Sequence, residues 1–157
     1  MSTDQYPMHL QHHDPRLFAG VTDRLFPISC LAFLATIPLG VLLARWPSHP
    51  KWSIFLLVWD WLAAILLGYG IAKKLHSGYQ LDQGRFFNEV LAVKAPYQPE
   101  GEAEMWDLIR KSGEHDSRAC NDDCSAMLAC TTGLYTFFIG VIAWPLVVAA
   151  FLYFGYK

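Results

Sequence analysis

The stretch LLVWDWLAAILLGYG, residues 56–70, places one carboxylate, Asp60, between two tryptophans in an otherwise uncharged run. This run belongs to a longer apolar segment, residues 52–72. At about 1.5 Å of rise per residue, a helix of this length crosses a hydrocarbon core of about 30 Å. The stretch therefore predicts a membrane-spanning helix, and it raises the question of what a carboxylate does inside one.

Two further apolar runs, residues 27–46 and 131–154, are equally long and nearly free of charge. The whole chain of 157 residues is 54% hydrophobic and only 17% charged, which is too apolar for an ordinary soluble domain. We therefore predict an all-α integral membrane protein with three transmembrane helices. The short connection PSHPK, residues 47–51, predicts that residues 27–72 form a helical hairpin, and residues 131–157 then form a C-terminal span.

The remaining residues divide into a polar N-terminal tail, residues 1–26, and an extramembrane segment, residues 73–130. The tail has none of the features of a cleavable signal peptide. The long segment contains two apolar helical faces, around residues 86–91 and 105–109, separated by APYQPEG. We expect two short amphipathic helices there, lying on the membrane surface or on a partner, or capping the chain's own spans.

Two further boundaries are expected within the extramembrane segment. Gly113 is predicted to end the second short helix, and Asp116 or Ser117 is predicted to begin a third helix that runs into the last span.

The distribution of basic residues predicts the orientation of the spans. Five lie on the side of the N-terminus and the 73–130 segment, and three lie on the opposite side: Arg16, Arg24, Lys73, Lys74 and Arg85 against Arg45, Lys51 and Lys157. The excess favours the N-terminus and residues 73–130 on the matrix or cytosolic side. The net charge of -2 gives no reason to expect a nucleic-acid partner.

Small residues recur at intervals of four in all three spans, as is typical of membrane helices that pack closely. The rows include Thr36 and Gly40 in the first span, Ala64 and Gly68 in the second, and Thr136 and Gly140 in the third. Pro38 and Pro145 each remove an intrahelical hydrogen bond, so helix bends are expected at these two positions.

Extending the row of the second span back by four residues reaches Asp60, which we therefore expect on the packing face. Three roles fit a carboxylate at this depth: a structural hydrogen bond or ion pair, contact with a polar group of another subunit, or proton transfer. Arg45 in the neighbouring span is the candidate ion-pair partner. The structural role is favoured, because the spans offer no second titratable group to which a proton could pass.

No catalytic motif is present, and no residue pattern predicts a cofactor, although a bound phospholipid is compatible with the hairpin. His115, Cys120, Cys124 and Cys130 lie close together in sequence, but their spacing does not match a structural zinc site, so reduced cysteines are expected. Asp122 and Asp123 are interpreted as acidic residues that serve the dipole of a nearby helix start.

The segment RFFNEVLAVKAPYQPEGEAEMWDLI, residues 85–109, is similar to the segment that follows the paired spans of the yeast DUP family. The shared features are an aromatic pair, a carboxylate and a later W-D-x-I. A third span at the C-terminus departs from the layout of that family. The resemblance implies a role in membrane-protein sorting.

Our main hypothesis is a non-catalytic accessory subunit that packs against other membrane subunits of a larger complex. The short chain, the small-residue rows and the buried charge all favour it. Complexes of the mitochondrial inner membrane, including the respiratory chain, are the favoured hosts because small multi-span subunits are common there. The alternative is a free-standing sorting or trafficking factor, or a small transporter that uses Asp60.

Overall fold

The computed structural model describes residues 15–45, 50–94 and 102–154, and each of these ranges is one helix. The helices are α1 (Pro15–Arg45), α2 (Pro50–Lys94) and α3 (Glu102–Phe154). Within these ranges there is no β-strand. All three helices are long and apolar enough to cross a membrane, so the prediction of an all-helical chain with three candidate spans is confirmed.

Two of the helices are far longer than a membrane requires. α2 has 45 residues and α3 has 53, whereas about 20 residues suffice for a span. Residues 73–94 belong to α2 and residues 102–130 belong to α3, so the short separate helices expected in this segment are not seen among the described residues. At about 1.5 Å per residue, the part of α2 beyond Lys74 extends the helix by about 30 Å.

Gly113 lies inside α3, so the prediction that it ends a helix is wrong, and Asp116 and Ser117 likewise begin no helix. A glycine inside a helix costs about 1 kcal/mol. Ion pairs one helical turn apart surround Gly113, including Lys111 with Asp107 and Arg110 with Glu114, and offset part of this cost. The connecting segment APYQPEG and most of PSHPK lie outside the described residues.

α2 and α3 pack against each other more extensively than either packs against α1. Their facing surfaces are built from small buried residues that recur every seven positions: Ala63, Gly70, Ser77 and Gly84 on α2, and Ser112, Ala119, Ala126 and Gly133 on α3. A seven-residue repeat keeps the same face of each helix toward its partner. The pairing therefore continues from the apolar spans into the charged extension.

The apolar core lies where all three helices meet, around Ala32 of α1, Leu67 of α2 and Leu134 of α3. Leu67 is fully buried. At Gly133 an added Cβ would come within 3.0 Å of the Leu67 backbone nitrogen, so α3 approaches α2 as closely as a glycine allows. Apolar side chains elsewhere on the spans are mostly exposed, as expected for surfaces that face lipid.

Candidate functional site

Lys74 lies at a junction where polar side chains of all three helices meet. Its ammonium is 2.8 Å from the carboxylate of Asp23 on α1 and 3.1 Å from that of Asp123 on α3. It also donates a hydrogen bond of 3.1 Å to the hydroxyl of Thr22. Partial burial acts to lower the pKa of Lys74, but the two carboxylates outweigh it and hold the pKa above its ordinary value.

Asp122, next to Asp123, is bound by two donors from α2. Lys73 Nζ lies 2.7 Å from Asp122 Oδ1, and His76 Nδ1 lies 2.6 Å from Asp122 Oδ2. Burial acts to raise the pKa of Asp122, but the hydrogen bonds from Lys73 and His76 outweigh it and hold the pKa below its ordinary value. The carboxylate is therefore ionised at neutral pH.

Hydrogen bonds continue from Asp122 along the charged extension. The second ring nitrogen of His76 is 3.3 Å from the Gln80 amide nitrogen, and the Gln80 oxygen is 2.5 Å from His115 Nδ1. One assignment gives each of these contacts a donor and an acceptor: His115 Nδ1 donates to Gln80 Oε1, Gln80 Nε2 donates to His76 Nε2, and His76 Nδ1 donates to Asp122. His115 also stacks on Phe87, with the ring centroids 5.5 Å apart.

The junction around Lys74 also marks where the charged residues of the helices end. Along α2 only Asp60 is charged between Lys51 and Lys73, and along α3 no charge follows Asp123. These last charged residues meet at one level of the bundle, together with Asp23 of α1. We therefore refer to Lys73, Lys74, Asp23, Asp122 and Asp123 as the boundary cluster.

The earlier interpretation of Asp122 and Asp123 is wrong. Both residues lie well inside α3, far from its first turn, so they cannot serve the dipole of a helix start. Both are almost completely buried and neutralise Lys73 and Lys74. Neither of these ion pairs was predicted, although the adjacent Lys-Lys and Asp-Asp pairs were a readable signal in the sequence.

His115, Cys120, Cys124 and Cys130 all lie on α3 and have different surroundings. His115 bonds to Gln80, Cys120 and Cys124 are half-buried, and Cys130 is buried against Gly70. Over the described part of the chain, no group of three or more histidine, cysteine or acidic side chains is arranged to hold a metal ion. The four cysteines Cys30, Cys120, Cys124 and Cys130 are free thiols.

Asp60 lies in the apolar part of α2 and is only 6% exposed. Its Oδ1 atom has no hydrogen-bond partner within residues 15–45, 50–94 and 102–154. Arg45, the candidate partner, is exposed at the end of α1, and none of the ion pairs between described residues joins it to Asp60. The Asp60 carboxylate packs against Gly40 of α1. A Cβ added to Gly40 would lie 3.1 Å from Asp60 Oδ2.

The other predicted packing residues lie at helix contacts. Thr36 and Thr136 are buried and donate to carbonyls of their own helices, and Gly68 faces the Phe33 ring. Gly140 faces Trp59, whose indole donates a hydrogen bond of 2.8 Å to the Thr136 carbonyl. Ala64 is half-buried.

Pro38 and Pro145 lie inside continuous helices, α1 and α3 respectively. The bends predicted at these two prolines stay predictions.

Comparisons of the chain with protein families, curated proteins and solved structures give no match. No family match therefore accompanies the resemblance of residues 85–109 to the yeast DUP family. The function has to be argued from the chemistry of the chain itself.

Proposed function

We propose that the chain is a non-catalytic accessory subunit of a multi-subunit membrane complex, with a role in structure and assembly. The favoured host is a respiratory-chain or other energy-transducing complex of the mitochondrial inner membrane, because small multi-span subunits are common there. The partners would be other membrane subunits and lipid.

The observation that carries this proposal is a row of apolar side chains on the outside of α2, beyond the boundary cluster. Leu75, Tyr79, Phe86 and Val93 are 62%, 59%, 57% and 69% exposed. At 3.6 residues per turn, the four positions fall within about 40° of one another around the helix. We call this row the outer stripe.

The outer stripe lies opposite the face of α2 that packs on α3. Ser77 and Gly84 mark the buried face, and they are turned by about 180° from the outer stripe at 3.6 residues per turn. Large apolar side chains aligned on a surface outside the hydrocarbon region are typical of a protein interface. Because α2 is one continuous helix from Pro50 to Lys94, our proposal places this part beyond the membrane, where a partner subunit can contact it.

The polar and charged groups that join α2 to α3 support a structural role. The buried carboxylates of Asp122 and Asp123 are already neutralised by lysines of the same chain. His76 and His115 are joined through Gln80. A helix pair joined in this way presents a fixed surface to a partner, which is what an accessory subunit requires.

Native gel electrophoresis of the protein solubilised from its own membrane in mild detergent tests the proposal. We expect the chain to migrate only within a large assembly. Migration as a small species would contradict the proposal and favour a free-standing sorting factor or a small transporter that uses Asp60.

A matched pair of variants tests the outer stripe. In the double variant Tyr79→Ser and Phe86→Ser, the fraction of chain in the assembly should fall strongly. The control, Asp82→Ser and Arg85→Ser, alters two neighbouring exposed side chains and should leave that fraction unchanged. Equal behaviour of the two variants would show that the outer stripe is not an interface.

A further inference from the structure

An open groove runs between α1 and α2 on the side of α2 that turns away from α3. Its volume is about 490 Å³. Exposed apolar side chains form its rims, among them Ile37 and Val41 on α1 and Trp61 and Ile65 on α2. Small residues from the predicted rows line it between these rims: Thr36, Gly40, Ala44 and Ala64. Such residues allow a neighbouring backbone to approach closely.

Asp60 also lines this groove. The residue is only 6% exposed, and its Oδ1 atom lacks a hydrogen-bond partner in the described part of the chain. A buried acceptor without a donor is unfavourable, because it has lost its contact with water and gained no hydrogen bond in return. An occupant of the groove that brings a donor to this oxygen would supply that hydrogen bond.

Two donors close to Asp60 already bind other acceptors. The Thr36 hydroxyl, which also lines the groove, donates to the Phe33 carbonyl at 2.7 Å. The Trp59 indole donates to the Thr136 carbonyl at 2.8 Å on the other side of Asp60. Within the described residues no donor reaches Asp60 Oδ1, and a donor on a neighbouring helix would supply the missing bond.

The depth of Asp60 limits what the donor can be. Asp60 lies eight residues after Trp52, the first residue of its apolar run, which is about 12 Å along a helix and near the middle of a core of about 30 Å. Acyl chains at this depth carry no hydrogen-bond donor, and lipid headgroups lie at the interface. A polar side chain on a neighbouring helix can reach this depth.

We propose that the groove receives a transmembrane helix of a partner subunit, and that this helix donates a hydrogen bond from a hydroxyl, amide or cationic side chain to Asp60. The small residues on both walls admit its backbone. This inference rests on the proposed function, since it names the site at which one membrane subunit of the complex binds.

Photo-crosslinking in the native complex tests which molecule occupies the groove. A benzophenone amino acid is placed at Ile37 or at Ile65, both of which line the groove, and at Ile142, an exposed position of α3. The groove positions should yield one discrete protein adduct that Ile142 does not yield. Adducts with lipid alone, or with a second copy of this chain, would overturn the proposal.

Two matched pairs of variants test the chemistry. Asp60→Leu removes the acceptor and should lower the yield of the groove adduct about tenfold, the effect of losing one interhelical hydrogen bond. Asp60→Asn keeps an acceptor oxygen and should retain most of the yield. Ala44→Leu narrows the groove and should lower the yield, whereas Ala35→Leu, at an exposed position outside the groove, should not.

The outcomes separate this inference from the proposed function. If the chain migrates in a large assembly but the groove positions crosslink only lipid, the groove proposal fails and the accessory role stands. If the chain migrates as a small species, both fail. Circular dichroism of each purified variant confirms that a lost adduct does not reflect an unfolded chain. Equal adduct yields from Asp60→Leu and Asp60→Asn in folded protein would remove Asp60 from the proposal.

Discussion

Gly70 of α2 lies directly against Cys130 of α3: a Cβ on Gly70 would meet the Cys130 sulfur at 2.6 Å and its backbone nitrogen at 2.9 Å. The contact lies near the middle of both α2 and α3, within the end of the apolar spans and next to the boundary cluster. Rotation of the Cys130 side chain would not relieve both overlaps, because the second contact is with the Cys130 backbone nitrogen. The separation of α2 and α3 therefore depends on a glycine at this position.

Replacement of Gly70 by alanine should destabilise the protein. The added methyl group forces α2 and α3 apart, and overpacking of this kind costs about 1–3 kcal/mol. Gly78 provides the control, because it is exposed and a Cβ there meets nothing within 4 Å. Gly78→Ala should stabilise the helix by about 1 kcal/mol. Unfolding by sodium dodecyl sulfate in mixed micelles measures both, and equal effects would contradict the close approach of the helices.

Loss of the Lys74 charge should also destabilise the bundle. Lys74→Met leaves the buried carboxylate of Asp123 without its cation, and breaking a buried pair from one side costs about 3 kcal/mol. Arg85→Met, at an exposed pair 3.9 Å from Asp82, should change the free energy of unfolding by less than about 0.5 kcal/mol. The double variant Lys74→Met and Asp123→Leu should recover part of the loss. A double variant less stable than Lys74→Met alone would contradict the pairing.

The spans could be predicted from the sequence because each is a long uncharged run, but the extension of the helices could not. The charges that begin at Lys73 suggested that the membrane helix ends there, whereas α2 continues to Lys94. What holds the charged part in a helix is its pairing with α3 through small residues spaced by seven. Spacing by four, as in Ala64 and Gly68, turns about 40° around the helix at each step and so drifts away from one neighbour.

The boundary cluster could not be predicted from the sequence for a related reason. Lys73 and Asp122 are 49 residues apart, so their contact depends on the register between two helices and not on local pattern. The small residues that recur every seven positions on α2 and α3 define that register. Placing Gly70 opposite Ala126 and Cys130 brings Lys73 level with Asp122. For Asp60 the sequence predicted burial but not the missing hydrogen-bond partner, because only the structure shows that Thr36 and Trp59 donate to other acceptors.

Acid should destabilise the protein through Asp122. Burial acts to raise the pKa of Asp122, but Lys73 and His76 bind the ionised form more strongly, so the folded pKa lies below that of the unfolded chain. This contribution to stability is therefore fully present above the unfolded pKa of about 4 and is lost as the pH falls through the lower, folded value. The midpoint of thermal unfolding should fall between about pH 5 and pH 2. The Asp122→Asn variant should be less stable at pH 6, and its midpoint of thermal unfolding should fall less between about pH 5 and pH 2. If that midpoint fell as steeply as in the unmodified protein, Asp122 would not be the group responsible.

Two buried serines on the facing surfaces of α2 and α3 should respond in opposite directions to alanine. The Ser77 side chain is fully buried and its hydroxyl has no hydrogen-bond partner among the described residues, whereas the Ser112 hydroxyl donates to Asn88 Oδ1 at 3.0 Å. Ser77→Ala removes an unsatisfied polar group and should stabilise the protein by about 1 kcal/mol. Ser112→Ala removes a hydrogen bond and should destabilise it by about 1 kcal/mol.

The comparison is well matched, because both changes delete one oxygen, keep the Cβ and gain the same small helix propensity. The difference between the two free energies of unfolding, about 2 kcal/mol, therefore combines the cost of the unsatisfied Ser77 hydroxyl with the contribution of the hydrogen bonding of Ser112. Unfolding of both variants in the same mixed micelles measures it. If Ser77→Ala proved as destabilising as Ser112→Ala, the Ser77 hydroxyl would have to bind a partner in the folded protein. Water or another polar group would then reach the interface between α2 and α3, which the close contacts between their small residues do not indicate.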